Sequence, residues 1–167
     1  MNWKVYMTVV FFFLSGLVLV GCGQSNDDKA LLVQSELLMT EKTFPNNFYD
    51  ISEQGVMVRK VTDQDDFKSE WGEFGLSDQP LELDWKNNVA IFLGTGESGT
   101  CPLEFQFVEI NDDKTKMIIH LEQSNGACTS DFTPRTFILS VDTEEISNVT
   151  HVEVKHGDGS RASKTLQ

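Results

Sequence analysis

Positive charge is scarce in this chain. Thirteen Lys and Arg stand against 26 Asp and Glu, for a formal net charge of −13. Phosphate binding needs a basic footprint, so nucleic acid is excluded as a partner. The same shortage excludes electrostatic docking onto anionic lipid headgroups. Histidine and cysteine are sparse too, at three each. There is no Cys-x-x-Cys, and no His lies near Cys101 or Cys128 in sequence, so neither a metal site nor a cofactor is expected. Internal repeats and low-complexity blocks are missing. So is the strand–helix alternation of a nucleotide-binding fold. The longest apolar run, Val9 to Val20, is broken by Ser15 and Gly16. It falls short of the roughly 20 residues that cross a bilayer comfortably. What is present is 40% hydrophobic residues and twelve Phe, which exclude wholesale disorder.

The N-terminus carries an address. Met1 to Val20 has a short leading region with Lys4, then an apolar stretch through Phe11, Phe12, Phe13, Leu14, Leu17, Val18 and Leu19. The following Leu19-Val20-Gly21-Cys22 resembles the bacterial lipobox. That resemblance implies cleavage before Cys22, diacylglycerol on its thiol, and a lipid-anchored position on the extracytoplasmic side of the cell membrane. Two acyl chains, at about 0.8 kcal/mol per buried methylene, make a stable anchor. The chain then divides into a signal peptide over 1–21, the lipidated Cys22 with a tether over 22–42, a globular domain over 43–155 and a flexible tail over 156–167. Gly23 to Lys29 is small and polar, as a tether requires. Gly157, Gly159, Ser160 and Ser163 in the tail show no apolar period. The length suits a single domain of roughly 100–150 residues.

Periodicity predicts the elements. Ala30 to Met39 fits a short helix or an edge segment. Val56, Val58 and Val61 among polar neighbours indicate a strand over Gly55 to Val61. Thr62 to Phe74 reads as a helix, with a capping-box-like start at Thr62 and Asp65, and Phe67, Trp71 and Phe74 on one face. Gly75 is a fitting stop. Asn88 to Leu93 is a continuous apolar run and predicts a buried strand. Leu103, Phe105 and Phe107 alternate with polar residues, as do Met117, Ile119 and Leu121 with Lys116, Ile118 and His120. Asn111 to Lys114 joins the two as a hairpin. Further strands follow around Phe137, Leu139 and Val141, and around Val152 and Val154. The fold class is mainly β (α+β): an antiparallel, sheet-rich single domain with one short helix.

Cys101 and Cys128 remain once Cys22 is assigned to the lipid. They flank the open ends of the Phe105–Leu121 hairpin, which brings them together. In an extracytoplasmic compartment such a pair forms a structural disulfide. Closing that loop stabilises the fold by about 3.6 kcal/mol in the chain-entropy model.

Several patterns resemble active sites and fail on context. Gly94-Thr95-Gly96-Glu97-Ser98-Gly99 matches a dinucleotide fingerprint, but a strand follows it where a helix is required, so it reads as a Gly-rich turn. Ser98, His120 and Asp131 lack a nucleophile elbow, and His120 sits mid-strand on the face of Ile118 and Glu122. Asn111-Asp112-Asp113 lacks calcium-loop spacing. Asn148-Val149-Thr150 matches a glycosylation sequon by chance. One constellation survives. Glu97, Ser98 and Thr100 precede the hairpin, and Thr129, Asp131 and Arg135 follow it, so the disulfide sets two polar loops side by side. This rim is either a self-satisfied network or a recognition surface, and Arg135 is placed to pair with Glu97 or Asp131.

The order of these motifs also carries a resemblance. Val61-Thr-Asp-Gln-Asp-Asp-Phe67, Trp71, Val89-Ala-Ile-Phe-Leu-Gly-Thr-Gly96 and Thr133-Pro-Arg-Thr-Phe-Ile-Leu139 resemble the C-terminal domain of the protease-complex lipoprotein PrcB family. The resemblance spans about Phe44 to Val154. Where that family commonly shows Thr-Gly-Gly-Tyr, this chain has Ser98-Gly99-Thr100-Cys101. The resemblance implies a non-catalytic accessory role, with a secreted protease or another envelope protein as partner. The alternative is an envelope hydrolase or a small-ligand-binding lipoprotein using the Gly94–Arg135 loops.

Overall fold

The computed structural model describes residues 30–52, 54–124, 126–159 and 161–166. The expected signal segment, the expected lipidation site at Cys22 and the expected tether over Gly23–Lys29 lie outside the described residues.

Among the described residues, nine strands and two helices follow in the order β1 (Leu31–Val33), β2 (Ser35–Glu41), α1 (Phe48–Ile51), β3 (Val56–Val61), α2 (Gln64–Glu73), β4 (Asn88–Glu97), β5 (Leu103–Ile110), β6 (Lys116–Gln123), β7 (Thr133–Asp142), β8 (His151–His156) and β9 (Arg161–Thr165). They form two sheets, ordered β1-β5-β6-β8-β9 and β2-β7-β4-β3. The pairings are antiparallel except β6 with β8. The mainly-β single domain expected from periodicity is therefore the architecture found.

Three layers explain the sequence patterns. The inner faces of both sheets meet in one core, with Val58, Ile91, Leu93, Phe137 and Leu139 facing Val108, Met117, Ile119 and Val154. The other face of the four-stranded sheet, through Met57, Ala90, Phe92 and Ile138, packs against Phe48, Phe67, Trp71 and Phe74. β4 is thus buried on both sides, and its residues 89–93 are continuously apolar rather than alternating. The five-stranded sheet turns its other face outward and keeps period-2 alternation. There Phe107 stacks on His120, and His120 meets Glu109 at 2.8 Å.

Helix α2 begins at Asp63 rather than Thr62: the Asp63 carboxylate accepts from the Asp65 and Asp66 amides, both at 2.9 Å. It ends at Gly75, whose φ of +67° suits glycine, with Leu76 N–H bonding Trp71 C=O and Gly75 N–H bonding Gly72 C=O. Trp71 is buried, and its indole N–H donates to Asp78 C=O at 2.8 Å.

Of the two alternatives for 30–39, the edge segment is the one found: β1 and β2 are the outermost strands of their sheets. Three expectations are corrected. The domain begins before residue 43, because β1 pairs with β5 and β2 with β7, crossing from one sheet to the other at Gln34. The segment expected to be a frayed tail contains β9, which pairs with β8 and buries Ala162 and Lys164. A small residue and a lysine on the inward face hid that strand from an apolar-period reading. Lys164 is accommodated because its ammonium donates to Ile51 C=O at 3.1 Å. Finally, residues 94–97 are the continuation of β4, not a turn. They pair with Thr133–Thr136 on one side, and Gly94 and Thr95 pair with Val56 and Met57 on the other.

Candidate functional site

The extension of β4 through two glycines builds the site. On the face opposite the sandwich core, a Cβ at Gly94 would stand 3.3 Å from the Phe48 ring. At Gly96 it would stand 1.8 Å from the Phe132 ring. The glycines give the strand a bare surface on which aromatic rings lie directly. Phe44 stacks on Phe48 with centroids 3.8 Å apart, and Tyr49 and Phe132 complete the cluster. Its outer members stay in solvent: Phe132 is 51% exposed and Tyr49 72%.

On the inner face, Glu97 and Arg135 close the end of the sandwich. The Arg135 guanidinium donates twice to the Glu97 carboxylate, from Nε at 2.9 Å and from Nη2 at 2.6 Å. The Leu103 amide adds a third bond at 2.8 Å. The Glu97 side chain has no exposed surface, and that of Arg135 has 12%. Arg135 was placed to pair with Glu97 or Asp131, and it pairs with Glu97. The pair plugs the core's open end, because β4 and β7 continue far enough to turn both side chains inward, so the recognition alternative for the rim does not extend to these two side chains.

Cys101 and Cys128 form a disulfide with Cα atoms 5.4 Å apart, as the hairpin geometry predicts. It binds the β6–β7 loop to the β4–β5 loop. Around it, Ser98 Oγ lies 3.1 Å from Thr129 Oγ1 and 3.3 Å from Thr100 Oγ1. The Thr129 amide donates to Thr100 Oγ1 at 2.9 Å, and the Gly99 amide to Asp131 Oδ1 at 3.1 Å. The Thr129 hydroxyl also donates to Asp131. These donations hold the Asp131 carboxyl below the usual carboxylate range, with the Thr129 hydroxyl the largest cause. Ser98, Thr100, Thr129 and Asp131 are therefore brought together as expected, in a network that satisfies itself.

Beside this network opens a cleft of about 340 Å³. Thr95, Glu97 and Ser98 form one wall, Thr129 to Phe132 another, and Gln54, Gln123, His156 and Asp158 the rest. Burial pushes the His156 imidazole below its ordinary value, with Asp158 acting against it. Sequence reasoning missed Phe132, His156 and Asp158. The first follows no apolar period, and the other two fall where the chain looks like a polar tail.

Among the described residues of the cleft, no side-chain base is in hydrogen-bond contact with the Ser98 hydroxyl. Ser98 is engaged with two threonines, and no imidazole is in hydrogen-bond contact with it among the described residues. His120 stands on the outer sheet face with Glu109, so the imagined Ser98–His120–Asp131 triad is not assembled. Among the described residues, no three His, Cys, Asp or Glu side chains gather as a metal site. No family model, curated protein or solved structure matches this chain.

Proposed function

We propose that this protein is a membrane-anchored extracytoplasmic lipoprotein that binds a protein partner through the disulfide-tied rim and performs no chemistry of its own. The observation that carries this reading is Phe132: a large apolar ring, 51% exposed, held on bare Gly96 by a loop that a disulfide and four hydroxyl and carboxylate side chains fix in place. An exposed ring on an ordered loop binds at lower entropic cost than one on a mobile loop. Aromatic residues are also enriched among the anchors of protein interfaces. The polar groups around it are bonded to each other, which suits a scaffold rather than a reacting centre.

The lipid anchor and the rim fit together. The chain enters the domain at Leu31, paired with Ile110 at the far end of β5 from Cys101. Eight residues of β5 at about 3.3 Å each put the two poles roughly 25 Å apart. A tether at one pole presents the rim away from the membrane. The partner is a secreted protease or another envelope protein, in keeping with the accessory role that the motif order implies.

Affinity isolation of the full chain from its own membranes tests this. Phe132→Ala and Thr129→Ala should reduce recovery of the co-purifying protein, while Asp112→Asn on the opposite pole should not. Equal recovery in all three, with melting temperatures unchanged, would remove the assignment. A hydrolytic activity abolished by Ser98→Ala would replace it with the enzyme reading.

A further inference from the structure

The exposed rings at the rim are not surrounded by neutral surface. Every charged group that lines the cleft is acidic or is neutralised within it. Asp131 and Asp158 line it, and the charge of Glu97 is met by Arg135 behind the wall. Glu122 joins Asp158 in the adjoining hollow. Among the described residues, no Lys or Arg contributes to the lining. Lys42 is the cation that acts on Asp131, as the weakest of its influences, from outside the cleft. Among the described residues, His156 is the one titratable base in the wall, and its burial favours the neutral ring at neutral pH.

We propose that the rim is a docking surface for a cationic segment of its protein partner, with an Arg or Lys side chain entering the cleft beside Asp131 and lying against the face of Phe132. This rests on the reading of the protein as a binding module and names the chemistry of what it binds.

Four physical arguments choose this occupant. An apolar patch alone would accept any hydrophobic partner. Here the patch is bordered by carboxylates on a chain of formal charge −13, so complementary charge favours a basic partner and an acidic one is repelled. Aromatic faces attract guanidinium and ammonium groups, and Phe132 offers its half-exposed ring next to Asp131 in the chain, with Tyr49 further out at a centroid distance of 6.3 Å. Asp131 is fixed by the Gly99 amide and the Thr129 hydroxyl, so its charge is aimed before a partner arrives. The volume of about 340 Å³ lies at the small end of ligand-sized clefts, which run from about 300 to 1,000 Å³. That is room for a side chain rather than a bulky cofactor.

The test uses the full chain in detergent micelles and two peptides: acetyl-(Gly-Arg)3-amide, and the same peptide with citrulline in place of arginine. Citrulline keeps the shape and removes the charge. Calorimetric titration should give binding of the arginine peptide at least tenfold tighter than the citrulline peptide. Asp131→Asn should weaken it about three- to fivefold, as solvent-accessible ion pairs do. Phe132→Ala should weaken both peptides, and Asp112→Asn should leave both unchanged. Asp112→Asn removes the same charge at the other pole, so an effect equal to that of Asp131→Asn would mean diffuse attraction and overturn the proposal. Equal affinity for the two peptides, both lost with Phe132→Ala, would overturn the cationic chemistry while leaving a binding cleft. Failure of the arginine peptide to bind would overturn the proposal outright. The binding-module reading is decided separately by recovery of the native partner with Phe132→Ala.

Discussion

The ring of Phe132 occupies the space that a side chain at position 96 would fill: a Cβ on Gly96 would meet Phe132 Cε2 at 1.8 Å. The two residues are 36 positions apart, and their contact gives the rim its shape. Gly96→Ala should therefore eject the ring and lower stability by about 1–3 kcal/mol, the cost of an overpacked contact. Adding Phe132→Ala should recover most of the part due to the clash. Denaturant unfolding of the two single variants and the double variant measures the coupling. Additive losses would show that the ring does not rest on Gly96.

Arg135 and Glu97 make the second prediction. Arg135→Ala leaves a carboxylate with no exposed surface holding only the Leu103 amide. Removing one partner of a buried pair costs about 3–5 kcal/mol. Asp131→Ala, on the exposed side of the same loops, should shift the unfolding midpoint far less. Equal shifts would mean that the Glu97–Arg135 pair is open to water.

Loss of the disulfide should act on the rim and on the whole domain. Replacing Cys101 and Cys128 together by Ser frees a link between residues 27 positions apart. The chain-entropy model gives about 3–4 kcal/mol for a loop of that size. Peptide mapping without reductant should recover the linked pair from purified protein. Two freely alkylated thiols would contradict the disulfide.

Acid should weaken the fold in a window set by His156. Burial lowers its pKa from the usual 6.5, so between 6.5 and that lower value the unfolded chain binds more protons than the folded one. The stabilisation is fully present above about pH 6.5 and is lost as the pH falls through the folded value. Glu70 works in the opposite sense, because burial raises its carboxyl above 4.5. The difference between wild type and His156→Gln isolates the histidine: the variant should lose less stability between pH 7 and pH 5. Parallel pH profiles would show that His156 is solvated.

Much of this architecture was legible because its signals are local. The run from Val89 to Leu93 implied a doubly covered strand. Phe67, Trp71 and Phe74 fell on one helical face, and the hairpin mouth placed Cys101 against Cys128. What escaped depends on residues distant in sequence. Gly94 and Gly96 look like a turn until Phe48 and Phe132 are seen lying on them. Glu97 and Arg135 looked like rim residues because the length of β4 was hidden by those glycines. β9 carries Ala162 and Lys164 inward, so no hydrophobic period marked it, and with it went the cleft wall formed by His156 and Asp158.

The central claim is that the disulfide-tied rim is where this protein meets its partner. A photoreactive residue placed at position 132 of the full chain, irradiated in its native membrane, tests it most directly, with position 112 at the opposite pole as the reference. The account predicts a discrete protein adduct from 132 and none from 112, with the 132 adduct suppressed by excess arginine peptide. Adducts of equal yield from both positions, or an adduct from 112 alone, would contradict it.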